Sequence, residues 1–132
     1  MVVIKILFAG RPDLFSLLAG DSYQMLSLAK ELEKLNIKVD FFTSQNDDLE
    51  EYDLVHLFNI LRVNYFLSQC RYFSSKNKSI ILTPIYWDLR EYLLSYSPER
   101  IKYWLTEEKK RQEILNLIDY LAPNAEGEYM IM

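Results

Sequence analysis

Val2-Val3-Ile4-Lys5-Ile6-Leu7-Phe8-Ala9-Gly10 opens the chain, and a loop ending Ala19-Gly20-Asp21-Ser22 follows it. The first run is apolar and β-branched, broken only by Lys5, which predicts a buried strand over Val2–Ala9. Gly10 ends the run, and a helical pattern begins at Tyr23. Met25, Leu28, Ala29, Leu32 and Leu35 recur at helical spacing, so a helix is expected over Tyr23–Leu35, with Asp21 or Ser22 as its N-cap. A strand that empties through a small-residue loop into a helix N-terminus builds an anion-binding corner. Backbone N–H groups point outward there, and the helix dipole favours negative charge.

The alternation continues outward from this unit. Strands are expected at Lys38–Thr43, Leu54–Phe58, Ser79–Thr83 and Tyr120–Ala122, with Pro84 ending the fourth. Leu54–Phe58 is apolar on both sides of His56, as a buried parallel strand should be. Helices are expected near Asn64–Ser74, Arg90–Tyr96 and Glu99–Ile118, the last with Pro98 at a first-turn position. Its inner face is read as Ile101, Trp104, Leu105, Ile114, Leu115 and Ile118, and its charge run Glu107–Arg111 as a solvated face. The acidic stretch from Asn46 to Asp53 reads as a solvated loop or short helix. Strands separated by helices predict an α/β fold: a Rossmann-like parallel sheet, right-handed crossovers, helices on both faces.

At 132 residues the chain predicts a single domain, and half of its residues are hydrophobic, enough for a real core. The net charge of −4 argues against a nucleic-acid partner, which wants a basic face. The one cysteine, Cys70, excludes an internal disulfide and reads as a packed thiol; with one histidine, His56, a metal site is not expected. The opening run has no basic segment before it and is too short to span a bilayer, so a cytoplasmic protein is expected, soluble or peripheral to a membrane.

Ligands of parallel sheets bind at the carboxyl ends of the strands, beside the switch in strand order. That selects the loops after each strand. The first lacks G-x-G-x-x-G, so no dinucleotide fingerprint is present. Pro84-Ile85-Tyr86-Trp87-Asp88 follows the fourth strand; rings beside a carboxylate make a usual sugar platform, and the alternative is that Tyr86 and Trp87 pack on the next helix. His56, inside a strand, reads as a satisfied core histidine. Asn59, at that strand's end, is better placed for a ligand.

Lys5-Ile6-Leu7-Phe8 and then Ala19-Gly20-Asp21-Ser22-Tyr23-Gln24-Met25 are similar to the "K-I-L … G-G-D-x-x-Q" opening of GT-B glycosyltransferases of the group 1 type. Leu26–Val39 resembles the family's "A-x-x-L-x-x-x-G-h-x-V" pattern (h is apolar), with Asn36 where Gly is usual. Tyr52-Asp53-Leu54-Val55-His56 resembles "Y-D-h-V-H", and Leu121–Glu128 resembles "h-x-P-N-S-x-x-E". Many members carry His-Asp after the fourth strand, where this chain has Trp87-Asp88.

The resemblance implies an acceptor-side, N-terminal half of a two-domain enzyme that moves a sugar from a nucleotide-sugar to an acceptor. A C-terminal donor-binding domain is implied outside this chain, with the nucleotide-sugar as co-substrate and no resident cofactor. It implies that Gly20, Asp21 and Ser22 lie near the donor, and that Asn59, Trp87 and Asp88 line the cleft. The rival expectation is a non-catalytic Rossmann-like domain that binds a ligand or partner. A sheet that stops at its fifth strand, with the apolar tail Tyr129–Met132, also predicts self-association, or an exposed apolar surface where a partner domain would sit.

Overall fold

A computed structural model describes residues 3–43, 48–85 and 88–124. Five parallel strands form one sheet: β1 (Lys5–Ala9), β2 (Lys38–Phe41), β3 (Leu54–Phe58), β4 (Ser79–Thr83) and β5 (Tyr120–Leu121). Four α-helices connect them: α1 (Gly20–Lys34), α2 (Val63–Ser75), α3 (Arg90–Tyr96) and α4 (Ile101–Leu117), the last entered through a 3-10 turn at Pro98–Arg100. The order is β2-β1-β3-β4-β5. Chain direction across the sheet therefore reverses between β1 and β3, the switch point of a doubly wound, Rossmann-like α/β fold.

The period-2 burial of each strand feeds two cores. Ile6, Phe8, Val39 and Phe58 meet Met25 and Ala29 of α1 on one face. Leu7, Ala9, Val55, Leu57, Ile80 and Leu82 meet α2, α3 and α4 on the other. Cys70 is fully buried there, and burial pushes its thiol up to about 12, so it is unreactive at neutral pH.

α1 and α2 end in the same device. Asn36 and Asn77 take φ of 62° and 59°. Ile37 N–H donates to the Leu32 carbonyl and Asn36 N–H to that of Glu33, while Lys78 and Asn77 repeat the pattern on Phe73 and Ser74. These are Schellman caps, in which asparagine is the usual substitute for glycine. Asn36 thus meets the backbone requirement of the position where Gly is usual.

Three expectations are corrected. The first helix starts at Gly20, with Ala19 as N-cap. Asp21 and Ser22 sit inside its first turn, because Ser22 Oγ reaches back to accept the Ala19 N–H and the Asp21 carboxylate is held by Arg11. Leu105 is 49% exposed and not on the inner face of α4. Arg111 of the charge run is 2% exposed, its guanidinium 4.0 Å from the Trp104 ring centre, donating to the Trp104 carbonyl and to Glu108. A guanidinium can be buried this way because its planar face stacks while its edge is hydrogen-bonded.

No described helix is long and apolar enough to cross a membrane. Val2, part of the acidic stretch, Tyr86, Trp87 and the tail Tyr129–Met132 lie outside the described residues.

Candidate functional site

At the carboxyl end of β1, Gly10 leaves room for α1 to pack. An added Cβ there would meet Met25 Sδ at 3.0 Å and Leu14 Cδ1 at 3.3 Å. A side chain at this position would require the ends of Met25 and Leu14 to give by a few tenths of an ångström. Gly20 differs: a Cβ there would meet nothing within 4 Å, so its backbone faces open space at the mouth of the corner.

The residue after Gly10 organises the whole loop. Arg11 is 7% exposed. Its Nε and Nη2 donate to the two Asp21 carboxylate oxygens at 2.9 and 3.0 Å, a bidentate fork. Nη2 also donates to Ser22 Oγ at 3.0 Å and to the Leu17 carbonyl. Nη1 donates to Asp13, at both its carbonyl and its Oδ1, at 3.1 Å. Arg62, at the start of α2, grips both Asp13 carboxylate oxygens, Nη2 donating to Oδ2 at 3.0 Å and Nη1 lying 2.9 Å from Oδ1. Asp21, Arg11, Asp13 and Arg62 thus form an alternating chain of charges that sums to zero. Burial alone would push the Asp21 carboxyl up. The hydrogen bonds and charge of Arg11, helped by the Asn59 side chain and the Ser22 N–H, outweigh it and hold Asp21 below the usual carboxylate range.

Asn59 joins this cluster from the end of β3. Its φ of 82° turns the chain sharply, and its Oδ1 accepts the Leu61 N–H at 2.7 Å, an Asx turn. Asn59 N–H and Ile60 N–H donate to the carbonyls of Thr83 and Pro84, which ties the loop after β3 to the loop after β4. The loop after β5 reaches the same edge, where Gln24 Nε2 donates to Asn124 Oδ1 at 2.7 Å. Below them His56 stacks on Phe58 at 4.1 Å and shares a 2.8 Å hydrogen bond with Thr83 Oγ1. Burial pushes His56 down to about 4, so it is a neutral, satisfied core histidine.

Asp88 takes a different place. It sits before α3, its Oδ1 accepting the Arg90 N–H at 3.1 Å while both oxygens receive the Arg90 guanidinium. Arg90 holds the Asp88 carboxyl below its usual range. The carboxylate therefore closes an Asx turn onto the first residue of α3, whose N-cap is Leu89. Ile85, just ahead, has φ 48°, a strained conformation for a β-branched residue. Trp87 lies outside the described residues. Gly20, Asp21, Ser22 and Asn59 are thus brought together, and Asp88 is placed on its own helix start.

Among the described residues, cavities lie on either side of the sheet, and two of them bear on the site. One, of about 330 Å³, lies at the carboxyl end, between the loop after β1 and the end of β2; Gly10, Arg11, Phe15, Phe41, Thr43 and Tyr65 contribute to its wall. The other, of about 550 Å³, runs along Asn36–Asp40 with Val3 and Glu33. The smaller is the functional candidate, because parallel sheets bind ligands outside the carboxyl ends of their strands. Arg11, Phe15 and Tyr65 were missed in the sequence reading; the only signal for Arg11 is a charge directly after a buried strand. Among the described residues no cluster of three or more His, Cys, Asp or Glu could hold a metal ion.

No known family, curated protein or solved structure matches this chain.

Proposed function

We propose that this chain is the acceptor-side domain of a GT-B glycosyltransferase, which moves a sugar from a nucleotide-sugar to an acceptor. The observation that carries the reading is the meeting of Gly20, Asp21 and Ser22 with Asn59 at the β1/β3 switch point. The open space at Gly20 and the adjoining 330 Å³ cavity support it. In this reading the N–H groups at the start of α1 lie nearest the donor phosphates or the transferred sugar. Asn59 lines the cleft, Asp88 stands at the start of α3 beyond it, and the aromatic wall of the cavity receives the acceptor. The nucleotide-sugar is a co-substrate, and a second, C-terminal domain holds most of it. A cytoplasmic location, soluble or peripheral to a membrane, belongs to the same proposal.

Two observations favour a second reading, a non-catalytic domain that binds a ligand or partner. Arg11 already neutralises the corner, and Arg90 already occupies Asp88. Calorimetric titration of the chain with UDP- and GDP-sugars tests the first reading. Dissociation constants of roughly millimolar or weaker are expected, near −4 kcal/mol, because most donor contacts belong to the other domain. Micromolar binding by this chain alone would overturn the two-domain reading in favour of a self-contained nucleotide binder.

A further inference from the structure

β2 forms one edge of the described sheet, and its outward side is self-complementary. Lys38 N–H donates to the Ile4 carbonyl and Phe42 N–H to that of Phe8, both toward β1. Main-chain groups alternate sides along a strand, so Val39 and Phe41 aim their N–H and C=O groups away from the sheet. Ile37 aims its C=O the same way, while its N–H is spent on the Leu32 carbonyl. Side chains alternate too. Ile37, Val39 and Phe41 belong to the α1-side core, whereas Lys38 and Asp40 are exposed and lie on the opposite face. The 550 Å³ groove beside Ile37–Asp40 leaves this edge open.

We propose that a second copy of this chain docks on β2 in antiparallel fashion, about a two-fold axis through Val39, joining two sheets into one. In that register Val39 faces Val39 of the second copy, and the two exchange both hydrogen bonds. Phe41 faces Ile37 of the second copy and donates to its carbonyl, twice by symmetry. On the other face Lys38 stands opposite Asp40 of the second copy, again twice. Cross-strand pairs of this kind, apolar on one face and oppositely charged on the other, are the units that stabilise a sheet. Moving the axis to Lys38 or Asp40 sets like charges directly opposite, so charge selects the register. Edge strands are ordinarily guarded by charge against foreign strands. Here the alternation of sign admits the chain's own copy, as an isologous interface requires.

Sedimentation velocity reads the result. The chain should sediment as a dimer at protein concentrations up to about 100 µM. Lys38→Asp and Asp40→Lys should each give monomers. An equimolar mixture of the two should restore the dimer, since every 38–40 pair is again opposite in charge. The doubly exchanged chain, K38D with D40K, should dimerise as well. Asp40 also accepts the Tyr52 hydroxyl at 2.8 Å, so near-ultraviolet circular dichroism checks that the Asp40 variants fold. If they do not, Lys38→Asp against Lys38→Arg carries the test, with loss expected only for the first. A monomeric wild-type chain would overturn the proposal. So would a dimer that survives Lys38→Asp, which would place the contact elsewhere, or a mixture of folded variants that stays monomeric.

Discussion

Replacing Arg11 by methionine keeps most of the side-chain volume and removes the charge that Asp21 was built around. Both side chains are 6% exposed. After the substitution the carboxylate keeps the Ser22 N–H at 2.9 Å and the Asn59 side chain, but no counter-charge. Breaking a buried pair from one side typically costs about 3–5 kcal/mol, because the remaining charge is stranded. Asp21→Asn should cost less, about 1.5–3 kcal/mol, since Arg11 retains Asp13 at 3.1 Å. The double variant should fall short of the sum by at least about 1 kcal/mol, as neighbours in one network do. Urea unfolding at pH 7 gives all three values.

The pH dependence adds a second signature. In the native chain the folded Asp21 binds its proton more weakly than the unfolded one. Its contribution is therefore complete above an unfolded value of about 3.9 and is lost only as pH falls below it. Without Arg11, burial dominates and the carboxyl moves above that value. The Arg11→Met deficit should then shrink as pH falls from 7 to 5, because the folded state now takes up the proton first. A deficit below about 1 kcal/mol, or one that does not shrink on acidification, would refute the buried-pair account.

Two further outcomes follow from the same edge. His56 is the only histidine, and its folded value near 4 lies below the usual 6.5 from burial alone, so the unfolded chain binds the extra proton between these values. Stability should be full above pH 6.5 and decline toward pH 4, with about 2 kcal/mol lost between pH 7 and 5, and His56→Gln should abolish that slope. Asp88→Asn, measured in the complete enzyme that the proposal requires, should leave the fold almost unchanged, since an asparagine oxygen can still accept the Arg90 N–H. Turnover should drop roughly ten- to a hundredfold if the carboxylate holds a sugar hydroxyl; unchanged turnover would leave Asp88 as the partner of Arg90 alone.

Much of this architecture was readable because buried parallel strands advertise themselves. Leu54–Phe58 and Ser79–Thr83 are found at the bounds their apolar runs predict, and Arg90–Tyr96 likewise. Helix starts were less readable. The cap-like residues Asp21 and Ser22 suggested a start near Tyr23, yet α1 begins at Gly20 because those side chains are engaged by the loop. Arg11 sits ten residues before Asp21, and nothing local marks the pair. Arg111 shows the same limit: in a run of charges its burial depends on Trp104, seven residues away, and on how α4 meets the core. Local pattern reports which face is apolar. It does not report which single charge a distant partner will draw inside.

Every role proposed for the site requires the carboxyl edge of the sheet to be the ligand face. A titration followed by two-dimensional amide NMR, with UDP- and GDP-sugars raised to about 10 mM to reach millimolar binding, examines every loop at once. Shifts are predicted at Gly20, Asp21, Ser22 and Asn59, extending to Thr43 and Tyr65 at the adjoining cavity when an acceptor sugar is added. Shifts confined to Asn36–Asp40 at the opposite cavity, or none at the carboxyl edge, would contradict it.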